Sequence, residues 1–200
     1  MAISKLVSSI LEIILFSLIP FIWWLITARK ECSFFQWIGL KKPEGDKRKI
    51  LLWVLCVFLA FLALSVFMLW SVKGVETATA DFAGLGAAAI PAILIYAILN
   101  TSMPEEILFR GFLLKRSANR FGFTTGNIFQ ATLFGMMHGI MFWSAAGPLK
   151  SILIILFTGG IGWCTGYANE KTAGGSILPG WCIHALANIF SGICSAFLLF

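Results

Sequence analysis

The residues in this chain with the most chemistry to offer stand in unlikely company. Glu105, Glu106 and Arg110 lie in the stretch Thr101–Arg116, TSMPEEILFRGFLLKR, directly after the apolar run Ala88–Leu99. The chain has two histidines, His138 and His184, each inside another apolar segment, and Asn188 follows His184 by four residues. An ionisable side chain at mid-bilayer costs about 2.5–3.5 kcal/mol on insertion scales, so intramembrane carboxylates mark functional sites by default. Residues four apart share a helix face, and Glu before Arg is the favourable order, so Glu106 and Arg110 read as an internal ion pair. Glu105 points about 100° away and has no partner in its own segment.

A carboxylate and an imidazole can share the task of taking a proton from water. An amide side chain and a second imidazole can hold a developing oxyanion. Glu105, His138, His184 and Asn188 therefore supply the parts for hydrolysing an amide without a serine or cysteine nucleophile. Two histidines and a glutamate are also an adequate zinc set. The sequence has no HExxH motif, which favours chemistry without a metal or other cofactor; the alternative is zinc on Glu105, His138 and His184.

Such groups need a scaffold that hides them from lipid. The chain is 59% hydrophobic and 12% charged, with mean hydropathy +0.91; a soluble globular chain is about 45–50% apolar and 25% charged. Nineteen Phe and eight Trp suit lipid-facing helices and interfacial belts. The expectation is an all-α, polytopic transmembrane bundle whose solvent is the lipid bilayer. The formal charge of +6 is no nucleic-acid signal, because the basic residues fall in loops on one side. Five cysteines without a CxxC pair suggest neither a zinc knuckle nor a disulfide framework.

About 20 apolar residues span a bilayer, and six segments qualify: 6–28, 50–72, 87–114, 128–143, 151–167 and 176–200. Glu12 is expected at the interface. The basic loop 29–49 carries an aromatic patch, Phe34, Phe35, Trp37, Ile38 and Leu40, which fits a segment in the headgroup plane or a partly packed loop. A loop of small residues and glycine, 73–86, follows the second span. Pro104 should kink the third span beside Glu105. Gly135 and Gly139, and the glycines 159, 160, 162 and 166, should let helices pack closely. The loops after spans one, three and five hold eleven lysines and arginines, against Lys5, Lys73 and Lys150 on the other side. The positive-inside rule makes those loops cytoplasmic, with both termini outside and the catalytic cavity opening to the cytoplasmic side. Residues 1–86 would form two N-terminal spans with the basic loop, and 87–200 the core.

The blocks EEILFR (Glu105–Arg110), FGMMH (Phe134–His138) and HALAN (His184–Asn188) match EExxxR, FxxxH and HxxxN, in that order. The chain thereby resembles the CAAX protease and bacteriocin-processing (CPBP, or Abi) family of intramembrane endopeptidases. FFQWIGLKK and GSILPGW look typical of its bacterial members. The resemblance implies that Glu105, with His138, activates the attacking water. It implies that His184 and Asn188 stabilise the oxyanion, that Glu106 and Arg110 brace the site, and that Phe134 packs beside His138. It implies a membrane-associated peptide or protein substrate and a multi-pass protein of the bacterial cytoplasmic membrane. A non-catalytic bacteriocin-immunity or scaffolding protein of the same family is the rival reading. An ion or proton carrier is a third, but its charges would be strung along a path.

Overall fold

The computed structural model describes residues 1–71, 75 and 77–199, which are helical with no strand among them. The expected ends of the second and sixth spans at Val72 and Phe200, and Lys73 in the loop between spans two and three, lie outside the described residues. The helices are α1 (Ala2–Thr27), α2 (Phe34–Trp37) and α3 (Lys47–Ser71), α4 (Gly86–Phe121), α5 (Phe123–Met141), α6 (Pro148–Thr172) and α7 (Leu178–Ala196).

Four of them, α1, α3, α4 and α6, are long and apolar enough to cross a membrane. The fourth and sixth expected spans correspond to α5 and α7, each 19 residues long. They are less apolar for a local reason: α5 carries Asn127, Gln130 and His138, and α7 carries His184 and Asn188. In α1 only Ser9 and Pro20 are buried, and Ile3 and Ile26 are about 80% and 79% exposed, as lipid-facing side chains would be. Glu12, expected at the interface, lies well inside α1 and faces Asn100 of α4.

α4 is the axis of the site. Its backbone opens into wide i→i+5 turns over Tyr96–Ser102 and again over Glu106–Leu114, on either side of Met103–Glu105. Pro104 sits between them and has no N–H to give to a regular ladder. Such wide turns cluster at functional sites because they re-aim side chains.

α5 and α6 pack at backbone distance. A Cβ on Gly135 would stand 2.5 Å from the Ile155 carbonyl oxygen and 3.1 Å from Gly159 N, so no larger residue fits at that crossing. Gly162 and Gly166 also face α5, but Gly160 meets nothing within 4 Å and opens onto an apolar groove with α3. Buried amides lock the pair: Asn127 Nδ2 donates to Trp163 O (3.0 Å), and Gln130 Nε2 donates to Asn127 Oδ1 (2.8 Å) and Gly162 O (2.9 Å).

The basic segments gather at one end. Lys115 Nζ, near the end of α4, donates to Glu170 (2.6 Å) and to Gly175 O (2.7 Å). Glu44 N donates to Ala173 O and Ile177 N to Gly39 O, which ties the first loop to the turn between α6 and α7. The aromatic patch is packed here rather than only laid on a surface. Ile38 is fully buried with Ile107, Phe112 and Ile177, while Phe35 stays exposed. At the other end Lys5 pairs with Asp81 (2.9 Å), and Ser195 Oγ donates to Thr79 O (2.7 Å). The described part of the 73–86 loop folds onto the bundle there, with Phe82 fully buried against Ile93 and Tyr96.

Candidate active site

Three helices deliver the site, and each does so for a reason visible in its sequence. The wide turns of α4 carry Glu105, Glu106 and Arg110 inward; Glu106 and Arg110 are 0% and 1% exposed and Glu105 is 9% exposed. Arg110 Nη1 lies 3.1 Å from Glu106 Oε1, the expected pair, formed here across a wide turn. α5 brings Phe134 and His138 on one face, one turn apart. α7 starts with a proline in its first turn, where the missing N–H costs nothing. It presents His184 and Asn188 one turn apart, and Trp181 Nε1 anchors it to Ile98 O of α4 at 2.8 Å.

The two glutamates meet the histidines differently. Glu105 Oε2 faces both imidazoles, 3.6 Å from His184 Nε2 and 3.9 Å from His138 Nε2. Glu106 Oε1 is 3.3 Å from His184 Nδ1. His138 Nδ1 is 2.9 Å from Phe134 O. A carbonyl oxygen only accepts, so His138 carries its proton on Nδ1, and in the neutral ring Nε2 is left with a lone pair turned toward Glu105. His184 is bracketed by two carboxylates, one at each nitrogen.

Phe134 is the hub of this arrangement. The Arg110 guanidinium stacks 4.2 Å from its ring centroid. His138 lies 4.5 Å and His184 5.8 Å from the same ring. One aromatic side chain thus touches the buried cation and both imidazoles.

Arg110, Phe134, His138, His184 and Asn188 line a cavity of about 190 Å³. Its far wall is apolar, with Phe61 of α3 and Phe157 of α6 in ring contact at 5.2 Å. Asn188 Nδ2 donates to Ser102 Oγ at 3.2 Å. All seven residues singled out in the sequence come together. Two further polar side chains join them, fully buried Ser102 and Asn169. Ser102 stands three residues before Glu105, a spacing that could have marked it; Asn169 has no such signal.

Zinc was the alternative for this set. Histidine nitrogens at about 2.0–2.1 Å and a carboxylate oxygen at about 2.0–2.2 Å from a tetrahedral zinc lie about 3.3–3.5 Å apart. The Glu105–His184 and Glu105–His138 separations of 3.6 and 3.9 Å are wider, and no group of three or more His, Cys, Asp or Glu among the described residues is arranged to hold a metal. The residue types suit zinc; in this structure Glu105 and His184 stand close to that spacing and His138 farther out.

An all-α integral membrane protein with glutamates and histidines gathered on inward helix faces is the class these features define. A model of the family described as type II CAAX prenyl endopeptidase, Rce1-like, matches residues 87–190, just over half of the chain. The chain belongs to that family, which agrees with the resemblance read from EEILFR, FGMMH and HALAN. No curated protein and no solved structure matches it.

Proposed function

We propose that the protein is an intramembrane endopeptidase that hydrolyses a peptide bond of a membrane-associated peptide or protein with a water activated by Glu105 and His138. The observation that carries this reading is the convergence of Glu105 Oε2 on the Nε2 atoms of His138 and His184. A water there donates one hydrogen to Glu105 and the other to the His138 Nε2 lone pair. Glu105 takes the proton as the water oxygen attacks the carbonyl carbon, and later gives it to the leaving amine, so no proton is gained or lost over the cycle.

The oxyanion falls to Asn188 and His184. Asn188 has two N–H donors and spends one on Ser102. His184, held at Nδ1 by Glu106, presents an Nε2–H when it carries both protons. A preorganised donor of this type contributes a factor of about 10²–10³ in kcat.

In this reading the basic end faces the cytoplasm, by the positive-inside rule, and all six long helices span. Glu105 then lies about ten residues, or about 15 Å, from Lys115 along α4. No step passes through a metal.

Membranes holding the wild type, compared by mass spectrometry with membranes holding Glu105→Gln, test the reading. Peptides released by the first and absent from the second are expected. Identical release from both would overturn it and leave a binding role for the cavity.

A further inference from the structure

The mechanism above uses one oxygen of Glu106. Oε1 serves both Arg110 and His184. Oε2 is buried with no hydrogen-bond partner among the described residues, although it belongs to a fully buried carboxylate. A buried polar atom left unpaired is costly, more so when charged, so its surroundings matter.

Across from it stands Asn169, in the last turn of α6 and also fully buried. Asn169 Oδ1 accepts from Gly180 N at 2.8 Å, which fixes the amide plane. Its Nδ2 is buried and has no partner among the described residues. Both orphans border the same space, over Gly180. A Cβ built on Gly180 would stand 2.7 Å from Asn169 Nδ2 and 2.8 Å from Glu106 Oε2, so the two atoms are at most about 5.5 Å apart. One is a donor, the other an acceptor, and only a glycine leaves the space between them open.

We infer that Asn169 is a positioning residue: a small turn of the Glu106 carboxylate brings Oε2 to Asn169 Nδ2, which then donates to it and holds that carboxylate square to His184 Nδ1 and Arg110. A chain Asn169–Glu106–His184 then runs from the end of α6 to the reacting centre. The plain alternative is that Asn169 only caps the start of α7 through Gly180 N. The catalytic consequence rests on the peptidase reading; the hydrogen-bond assignment does not.

The test is ¹⁵N-histidine NMR of the full chain in phospholipid nanodiscs at pH 6 and pH 9, with His138→Asn used to assign the two imidazoles. Asn169→Asp keeps the acceptor for Gly180 N and replaces the donor with an oxygen. At high pH two carboxylates then face each other, and like charges at short range drive them apart. The Nδ1 proton of His184 is expected to persist at both pH values in the wild type and to fall at least twofold at pH 9 in Asn169→Asp. The double variant Glu106→Gln, Asn169→Asp reverses donor and acceptor at unchanged net charge, and the Nδ1 proton should return. An Asn169→Asp spectrum like that of the wild type at pH 9, or a double variant no better than Asn169→Asp, would overturn the assignment. Should Asn169→Asp fail to accumulate in membranes, accumulation itself is the readout, with Glu106→Gln alone as the reference: a double variant that accumulates better than either single variant supports the pairing, and one that accumulates no better than Glu106→Gln overturns it. The spectrum needs no substrate. A wild type that cleaves nothing while showing these spectra would remove the peptidase reading and leave the pairing intact.

Discussion

Glu106 Oε1 stands 3.3 Å from His184 Nδ1, so a fully buried carboxylate is shared between an imidazole and the guanidinium of Arg110. Its neighbour in sequence, Glu105, faces the other nitrogen of the same ring at 3.6 Å. Adjacent residues of one type thereby hold opposite sides of one histidine, and they should fail in opposite ways.

Glu105→Gln keeps shape and removes the base, so cleavage should vanish while detergent stability stays near that of the wild type. Glu106→Gln leaves Arg110 without its charge partner, and breaking a buried pair from one side costs about 3–5 kcal/mol. Thermal unfolding in detergent, read beside peptide release, should show the Glu106 variant melting earlier. Equal melting and equal residual activity would contradict the division of roles.

Asn188→Ala should lower kcat about 10²–10³-fold with little change in KM, the effect of losing one oxyanion donor. Ser102→Ala removes only the acceptor that orients the amide and should cost much less. Steady-state kinetics on any released peptide would check both; a KM effect with unchanged kcat would assign Asn188 to substrate binding instead.

Phe134 touches Arg110, His138 and His184 at once. Phe134→Ala should destabilise by about 3–5 kcal/mol through the lost volume. Phe134→Leu should recover most of that stability but not the stacking on Arg110, and activity should recover less than stability. Parallel recovery of both would show that volume alone matters.

A tight zinc chelator should leave activity unchanged. Activity lost on chelation and regained with added Zn²⁺ would show that the metal supplies the activated water, with Glu105, His138 and His184 as its ligands. Elemental analysis of purified active protein would give the same answer independently.

How much of this was legible beforehand can be seen at particular residues. The Glu106–Arg110 pair was, because it rests on a four-residue spacing that survives the change from a regular turn to a wide one. The grouping of the basic loops at one end was also legible, since alternating spans return the chain to the same side. Two helices carry polar site residues that lower their apolarity, so length and composition alone identify four spans where the segment pattern suggested six. The aromatic patch in the first loop left two readings open, and the burial of Ile38 shows that the segment is packed.

What the sequence by itself determined was the class of protein and the list of groups: an all-helical membrane chain that spends its two histidines and a pair of glutamates inside apolar segments. Composition and periodicity are local properties, so they report which side chains must be hidden. Only the tertiary structure decided which atoms meet. Glu105 and the histidines lie 33 and 79 positions apart in the chain, and their contact depends on how closely α4, α5 and α7 pack and on the wide turns that re-aim α4. Asn169 entered the site for the same reason, because a polar residue at a helix end reads as a turn until the helix that covers it is known; Ser102, in the middle of α4, enters it through its hydrogen bond with Asn188 of α7.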